Sequence, residues 1–149
     1  MIDSGPPPEE DDAGVADDAD LWRRLPPFLN WVIWDARERT FRASSAAFQN
    51  LKNRRLSVCL TCYAPVAFTP QAFVERHPGY GVAAIRAGDA RAEGQIIVPE
   101  AVPDEVAHGH MVGDKPKGVQ RALARAARLL LLPEDAIAPL PTLTDQEVR

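Results

Sequence analysis

The chain has little of what usually anchors disulfides, metals or membranes. Its 149 residues include two cysteines, two methionines, two tyrosines and three histidines. Two cysteines cannot supply the disulfide framework of a small secreted domain. They stand as Cys59 and Cys62 in "CLTC", and no second C-x-x-C completes a zinc knuckle. A redox pair belongs at a helix N-terminus, which lowers the thiol pKa. Here the pair follows a strand pattern whose alternation sends the two thiols to opposite faces, so reduced cysteines, at least one buried, are expected. No stretch reaches the roughly 18 apolar residues that span a bilayer. Residues 1–20 contain no basic residue and no apolar core of a signal peptide, so the expected location is cytoplasmic.

Charge is abundant and unevenly placed. The net charge is −4, yet residues 1–20 hold eight of the 21 acids and none of the 17 bases. The other 129 residues therefore carry 17 bases and 13 acids, a balance of +4. "MIDSGPPPEEDDAGVADDAD" has no aromatic residue and little to bury, which predicts a disordered acidic tail over 1–18. Residues 19–132 form one domain's worth of chain, and 133–149 read as a proline-broken extension. A solubilising role suits the tail, as does competition for a basic surface of its own domain.

Local patterns predict an α+β domain with a small, mainly antiparallel sheet packed by two or three helices. "LWRR" reads as a single turn stopped by "LPP". "FLNWVIWD" is a strand with "TFRA" as its hairpin arm, and Ser44 or Ser45 caps a short helix at "SSAAFQNL". "RRLSVCLTCYA" is a strand with Leu56, Val58 and Leu60 on one face and Ser57, Cys59 and Thr61 on the other. In "TPQAFVERHPG" Thr69 caps a helix, Pro70 takes its first position and "HPG" ends it. "YGVAAIRAG" suits a strand or a helix continuing through "AGDARAEG". "QIIVP" and "EVAHGHMVG" are strands. The helix after "DKP", from about Lys117 to Leu132, presents Val119, Leu123, Ala127 and Leu130 on its apolar side.

Three constellations carry possible chemistry. His108 and His110, two apart in a strand, project from one surface and suit two nitrogen ligands of a metal, with His77, Asp104 or Glu105 as a third. An open position on such a metal would activate water for hydrolysis. On the last helix Lys117, Arg121, Arg125 and Arg128 form a basic stripe with no acidic partners one turn away, a surface for an acidic partner. Residues 21–55 add eight bases against two acids, with all three tryptophans and Phe28, Phe41 and Phe48 among them. Basic groups interleaved with aromatics can grip single-stranded nucleic acid. The overall negative charge counts against that use.

Two resemblances follow from the residues. Arg23 and Arg24 in "LWRRLPP", followed by Ser44 and Ser45 in "FRASSAAF", resemble the layout of ADP-ribosyltransferases, which implies Glu93 or Glu105 as the catalytic acid. The full Ser-Thr-Ser element and the Glu-x-Glu pair of that family are missing, and a helix cap at Ser44 accounts for the same letters. The combination of "DADLWRRLPP", "RASSAAFQN", "HPGYGVAAI" and "DEVAHGHMVGDKPKGVQRALARAA" resembles an uncharacterised family of small bacterial cytosolic proteins over residues 18–130. It implies no catalytic residue and no cofactor. The expected function is a non-enzymatic binding or accessory module that meets a protein partner through the basic helix face and the aromatic-basic region. The alternatives are a small enzyme, by metal-assisted hydrolysis at His108 and His110 or ADP-ribosyl transfer through Arg23 and Ser44, and a nucleic-acid-binding protein.

Overall fold

A computed structural model describes residues 9–134 and 136. Among the described residues eight strands run in chain order: β1 (Asp20–Leu25), β2 (Val32–Asp35), β3 (Thr40–Ala43), β4 (Arg55–Leu60), β5 (Gly81–Arg86), β6 (Ile96–Pro99), β7 (His108–Val112) and β8 (Arg128–Leu131). Helices α1 (Pro70–Phe73), α2 (Ala87–Ala92) and α3 (Lys117–Ala126) join them, with short 3-10 turns at Ser45–Phe48 and Thr61–Tyr63. Six strands form one antiparallel sheet in the spatial order β6-β7-β4-β1-β5-β8, and β2 and β3 form a separate hairpin. The α+β class expected from the sequence is the class observed. Among the described residues no helix is long and apolar enough to cross a membrane.

Alternation divides the sheet into two faces. Leu21 and Leu25 of β1 and Leu56, Val58 and Leu60 of β4 enter the main core, where Leu123 and Ala124 of α3 meet Ala47 and Phe48 of the first 3-10 turn. On the opposite face Trp22, Cys59, Val82 and Ala84 pack under Phe73 and Val74. Trp22 lies stacked on Phe68, ring centroids 5.8 Å apart. The caps fall where the letters put them. Ser44 Oγ accepts from Ala46 N at 3.1 Å, and Thr69 Oγ1 accepts from Ala72 N at 3.1 Å. Each satisfies a backbone donor that a helix start leaves open.

Three expectations for individual elements fail. "LWRR" is part of β1 rather than a turn, because strands on both sides supply its hydrogen-bond partners. The helix after "DKP" ends at Ala126; Ala127 turns extended and 128–131 pair with β5. That pairing satisfies the outer edge of β5 and leaves Leu130 36% exposed instead of buried. Gly81 permits the close approach there, since a Cβ would meet Leu131 O at 2.4 Å. The "PQAFVERHPG" helix shrinks to one turn, α1, before irregular turns take over.

The tail departs most. Residues 9–18 pack against the domain, with Val15 only 1% exposed. Asp12 N donates to Ile97 O and Ile97 N to Asp11 Oδ1, both at 2.8 Å, so the tail covers the free edge of β6. Its acids do engage basic groups of their own domain, namely Arg91, through Asp11 and Asp17, and Arg55, through Glu9. Neither lies on α3. The fold thus begins before residue 19, while residues 1–8 lie outside the described residues. At the other end Pro133 is buried and Glu134 N donates to Gly79 O at 2.8 Å; 137–149 lie outside the described residues.

Candidate functional site

β1 pairs with β5 along all six residues but with β4 only at Leu21↔Leu60 and Trp22↔Cys59. Past those two pairs the strands part. Arg23 and Arg24 from β1 face Ser57 and Val58 from β4 across an opening of about 190 Å³. Trp31, Phe73 and Tyr80 give it aromatic walls, and Glu105 and His108 complete its polar lining. The loop that forms one lip holds Phe28 at φ 68° and Asn30 at φ 57°. Asparagine tolerates that left-handed region, but for phenylalanine it is strained, and such strain concentrates at functional sites.

Two adjacent arginines in a central strand need acceptors on both faces. Arg23 Nε donates to Ala47 O at 3.0 Å and Nη1 to Ser57 O at 3.1 Å, and its guanidinium lies 5.0 Å from the Trp31 ring centroid. Burial pushes its pKa down to about 10, which leaves it charged at neutral pH. Arg24 points to the other face. Its Nε and Nη2 donate to Phe73 O at 3.2 and 3.1 Å, its guanidinium sits 4.1 Å from the Phe73 ring centroid, and it forms an ion pair with Glu105. A second hollow, of about 450 Å³, shares Arg24, Phe73 and Glu105 and extends to His77, Phe68 and Asp104. The Arg24–Glu105 pair therefore lines both hollows.

The histidines separate into different surroundings. His108 and His110 share one face of β7, with ring centroids 4.9 Å apart. Gly109 between them faces the crowded side, where a Cβ would meet Leu60 Cδ1 at 2.7 Å. His108 Nδ1 lies 2.9 Å from Glu100 O and donates to that carbonyl, which leaves Nε2 for other contacts. His110 Nδ1 meets Glu100 Oε2 and Arg55 Nη2, each at 3.2 Å. Burial, then the Arg55 charge, holds its pKa below the ordinary 6.5. His77 stands in the second hollow against Tyr80, 4.9 Å between ring centroids, its pKa also lowered by burial. Among the described residues no group of three His, Cys, Asp or Glu side chains is arranged to hold a metal.

The basic stripe is only partly a unit. Arg121 and Arg125 line a groove of about 580 Å³ between α3 and the hairpin, together with Arg42, Ser44, Ser45 and Asp35. Arg128 belongs to β8 and pairs with Asp20, and exposed Lys117 does not line the groove. Ser44 and Ser45 lie in this groove rather than in the strand opening, and Glu93 ends α2 away from both. The aromatics of 21–55 are dispersed too: Trp22 and Phe48 are in the two cores, and Trp34 packs edge-on to Phe41 in the hairpin. Cys59 is buried, with its thiol pushed up to about 12 mainly by burial, while Cys62 is exposed; neither is poised for redox chemistry.

Sequence reasoning joined Arg23 and Arg24 to Glu105 in one reading and His108 to Glu105 in another, placed Trp31 in the aromatic-basic region, and missed Phe73 and Tyr80 as site residues. The available signal was the double arginine in an otherwise apolar segment, which needs carbonyl or carboxylate partners wherever it is buried. Compared with family models, curated proteins and solved structures, the chain finds no match.

Proposed function

We propose that the opening between β1 and β4 binds a nucleotide, and that this bacterial, cytosolic protein carries out ADP-ribosyl transfer there. The observation that carries this reading is the parting of the sheet at Arg23 and Arg24, which sets guanidiniums, aromatic rings and one carboxylate around a single cavity. A phosphate oxygen suits Arg24 Nη1, since Nε and Nη2 are engaged by Phe73 O and Glu105, and flat bases suit Trp31 and Tyr80. The larger hollow, of about 450 Å³, falls in the size range of ligand sites and the opening, of about 190 Å³, lies below it; Arg24 lines both, so a diphosphate would sit there with its larger ring system in the 450 Å³ hollow.

The reading takes Glu105, not Glu93, as the acid, and it drops Ser44, whose hydroxyl caps the 3-10 turn. With a nicotinamide dinucleotide as substrate, the bond between the ribose anomeric carbon and the nicotinamide nitrogen breaks, and nicotinamide leaves with the bonding electrons. The Glu105 carboxylate stabilises the positive charge that grows on the ribose. An acceptor nucleophile then bonds to the anomeric carbon and gives its proton to His108 Nε2.

Titration with NAD, followed by Trp31 fluorescence, tests the binding. Saturable quenching in the wild type, weakened about tenfold or more in Arg24→Met, is expected for a charge-assisted contact worth at least about 1.4 kcal/mol. Glu105→Gln should still bind NAD but release no nicotinamide. Failure of the wild type to bind NAD or ADP-ribose at millimolar concentration would refute the reading.

A second reading, the binding module, is favoured by a separate observation. Arg121 and Arg125 form no ion pair among the described residues, whereas Arg128 does.

A further inference from the structure

The groove between α3 and the β2–β3 hairpin lies apart from the strand opening and shares no lining residue with it. Arg42 on β3 and Arg121 and Arg125 on α3 bring three guanidiniums to one groove. Among the described residues only Arg42 of the three has a carboxylate partner, Asp35 at 3.4 Å. Half-buried Ile33 and Ala127 add apolar surface to the groove. We infer that this groove is a docking site for an acidic, partly apolar segment of a partner protein.

Charge complementarity sets the sign of the partner. The mixed lining sets its class. Nucleic-acid backbones are met by tracks of cationic groups with few carboxylates. Here Asp35 stands within the groove and would repel a continuous line of phosphates, whereas apolar side chains would find half-buried Ile33 and Ala127. A peptide alternating carboxylates with aliphatic groups satisfies both kinds of surface. The chain's own acidic residues 9–18 are not the occupant: Glu9 pairs with Arg55, Asp11 and Asp17 with Arg91, and Asp12 with Tyr63.

The site extends the sequence-level stripe and revises it. Arg42 joins from a strand far away in sequence, and Lys117 and Arg128 drop out. Arg121 and Arg125 are one helical turn apart, so both project to the hairpin side of α3.

The test uses the full chain and a fluorescein-labelled octapeptide of alternating Glu and Leu, with an oligouridylate of the same length beside it. Fluorescence anisotropy should give saturable peptide binding that weakens as salt rises. The Arg121→Glu/Arg125→Glu variant should lose at least about tenfold in affinity. Arg86→Glu, a charge reversal at an exposed arginine that ends β5 outside the groove and both hollows, should change nothing. Unchanged thermal melting, with Arg23 and Arg24 untouched, separates loss of docking from loss of fold. Peptide binding that survives the double reversal, absence of peptide binding by the wild type, or tighter binding of the oligouridylate with the same arginine dependence would each overturn the proposal. None of these outcomes bears on nucleotide binding in the strand opening.

Discussion

The Arg23 guanidinium donates to Ser57 O across the gap where β1 and β4 have ceased to pair, 3.1 Å from Nη1 to the carbonyl. A side chain thus does the work of a missing ladder bond and keeps the opening from closing. It also donates to Ala47 O at 3.0 Å, tying the 3-10 turn to the sheet. Arg23→Met retains much of the apolar stem and removes both donors. The expected loss is about 1–3 kcal/mol, with most of it from the less accessible Ala47 carbonyl. Urea unfolding of the two proteins measures it, and an unchanged midpoint would show that water replaces the guanidinium.

Leu123 is fully buried where α3 meets the sheet. Leu123→Ala should cost about 2–5 kcal/mol, since it removes buried methyl groups and leaves a cavity. That is a large share of the total stability of a domain this size. Leu130→Ala offers the contrast: on an edge strand and 36% exposed, it should cost far less. Thermal melts of both variants would check the order, which is the reverse of equal burial on one long helix.

His110 links stability to mild acid. Its folded pKa lies below the ordinary 6.5 because of burial and then the Arg55 charge, opposed by Glu100. Below about pH 6.5 the unfolded chain therefore binds more protons than the folded one, and stability falls as pH decreases through this window. His77, lowered mainly by burial, acts in the same direction. Denaturation midpoints between about pH 7 and 5 should fall in the wild type and fall less steeply in His110→Asn. Equal slopes would remove His110 from the effect.

Lys115 has no exposed surface, and its Nζ donates to Arg54 O, Met111 O and Gly113 O at 3.2, 3.1 and 2.9 Å. Burial pushes its pKa down to about 8, so much of the amine is neutral in weak alkali and intrinsically nucleophilic. Enclosure should nevertheless prevent reaction. Mass spectrometry after brief treatment with an amine acylating reagent should find Lys52 and Lys117 modified and Lys115 intact until denaturant is added. Modification of Lys115 in the native protein would mean that the loop after β7 opens locally.

The mainly antiparallel sheet, the facing of β4 and the caps at Ser44 and Thr69 were legible because each rests on residues close in sequence. Alternation at Leu56, Val58 and Leu60 determined a buried face, and a hydroxyl before a short helix determined its start. The side-by-side projection of His108 and His110 followed from the two-residue period of a strand. Where the strands part was not legible, because residues 26–54 of hairpin and turn separate β1 from β4, and no local pattern states how many of their pairs form. The end of α3 was hidden for a related reason: "RLLL" continues a helical pattern, but the unpaired edge of β5 draws it into a strand. The acidic residues 9–18 have no apolar periodicity, yet the free edge of β6 and the guanidiniums of Arg55 and Arg91 order them. The sequence alone determined which residues were charged, capped or apolar. Only the tertiary structure decided which of them share a cavity, because that depends on strand order and register, which bring Arg24, Phe73 and Glu105 together from three distant segments.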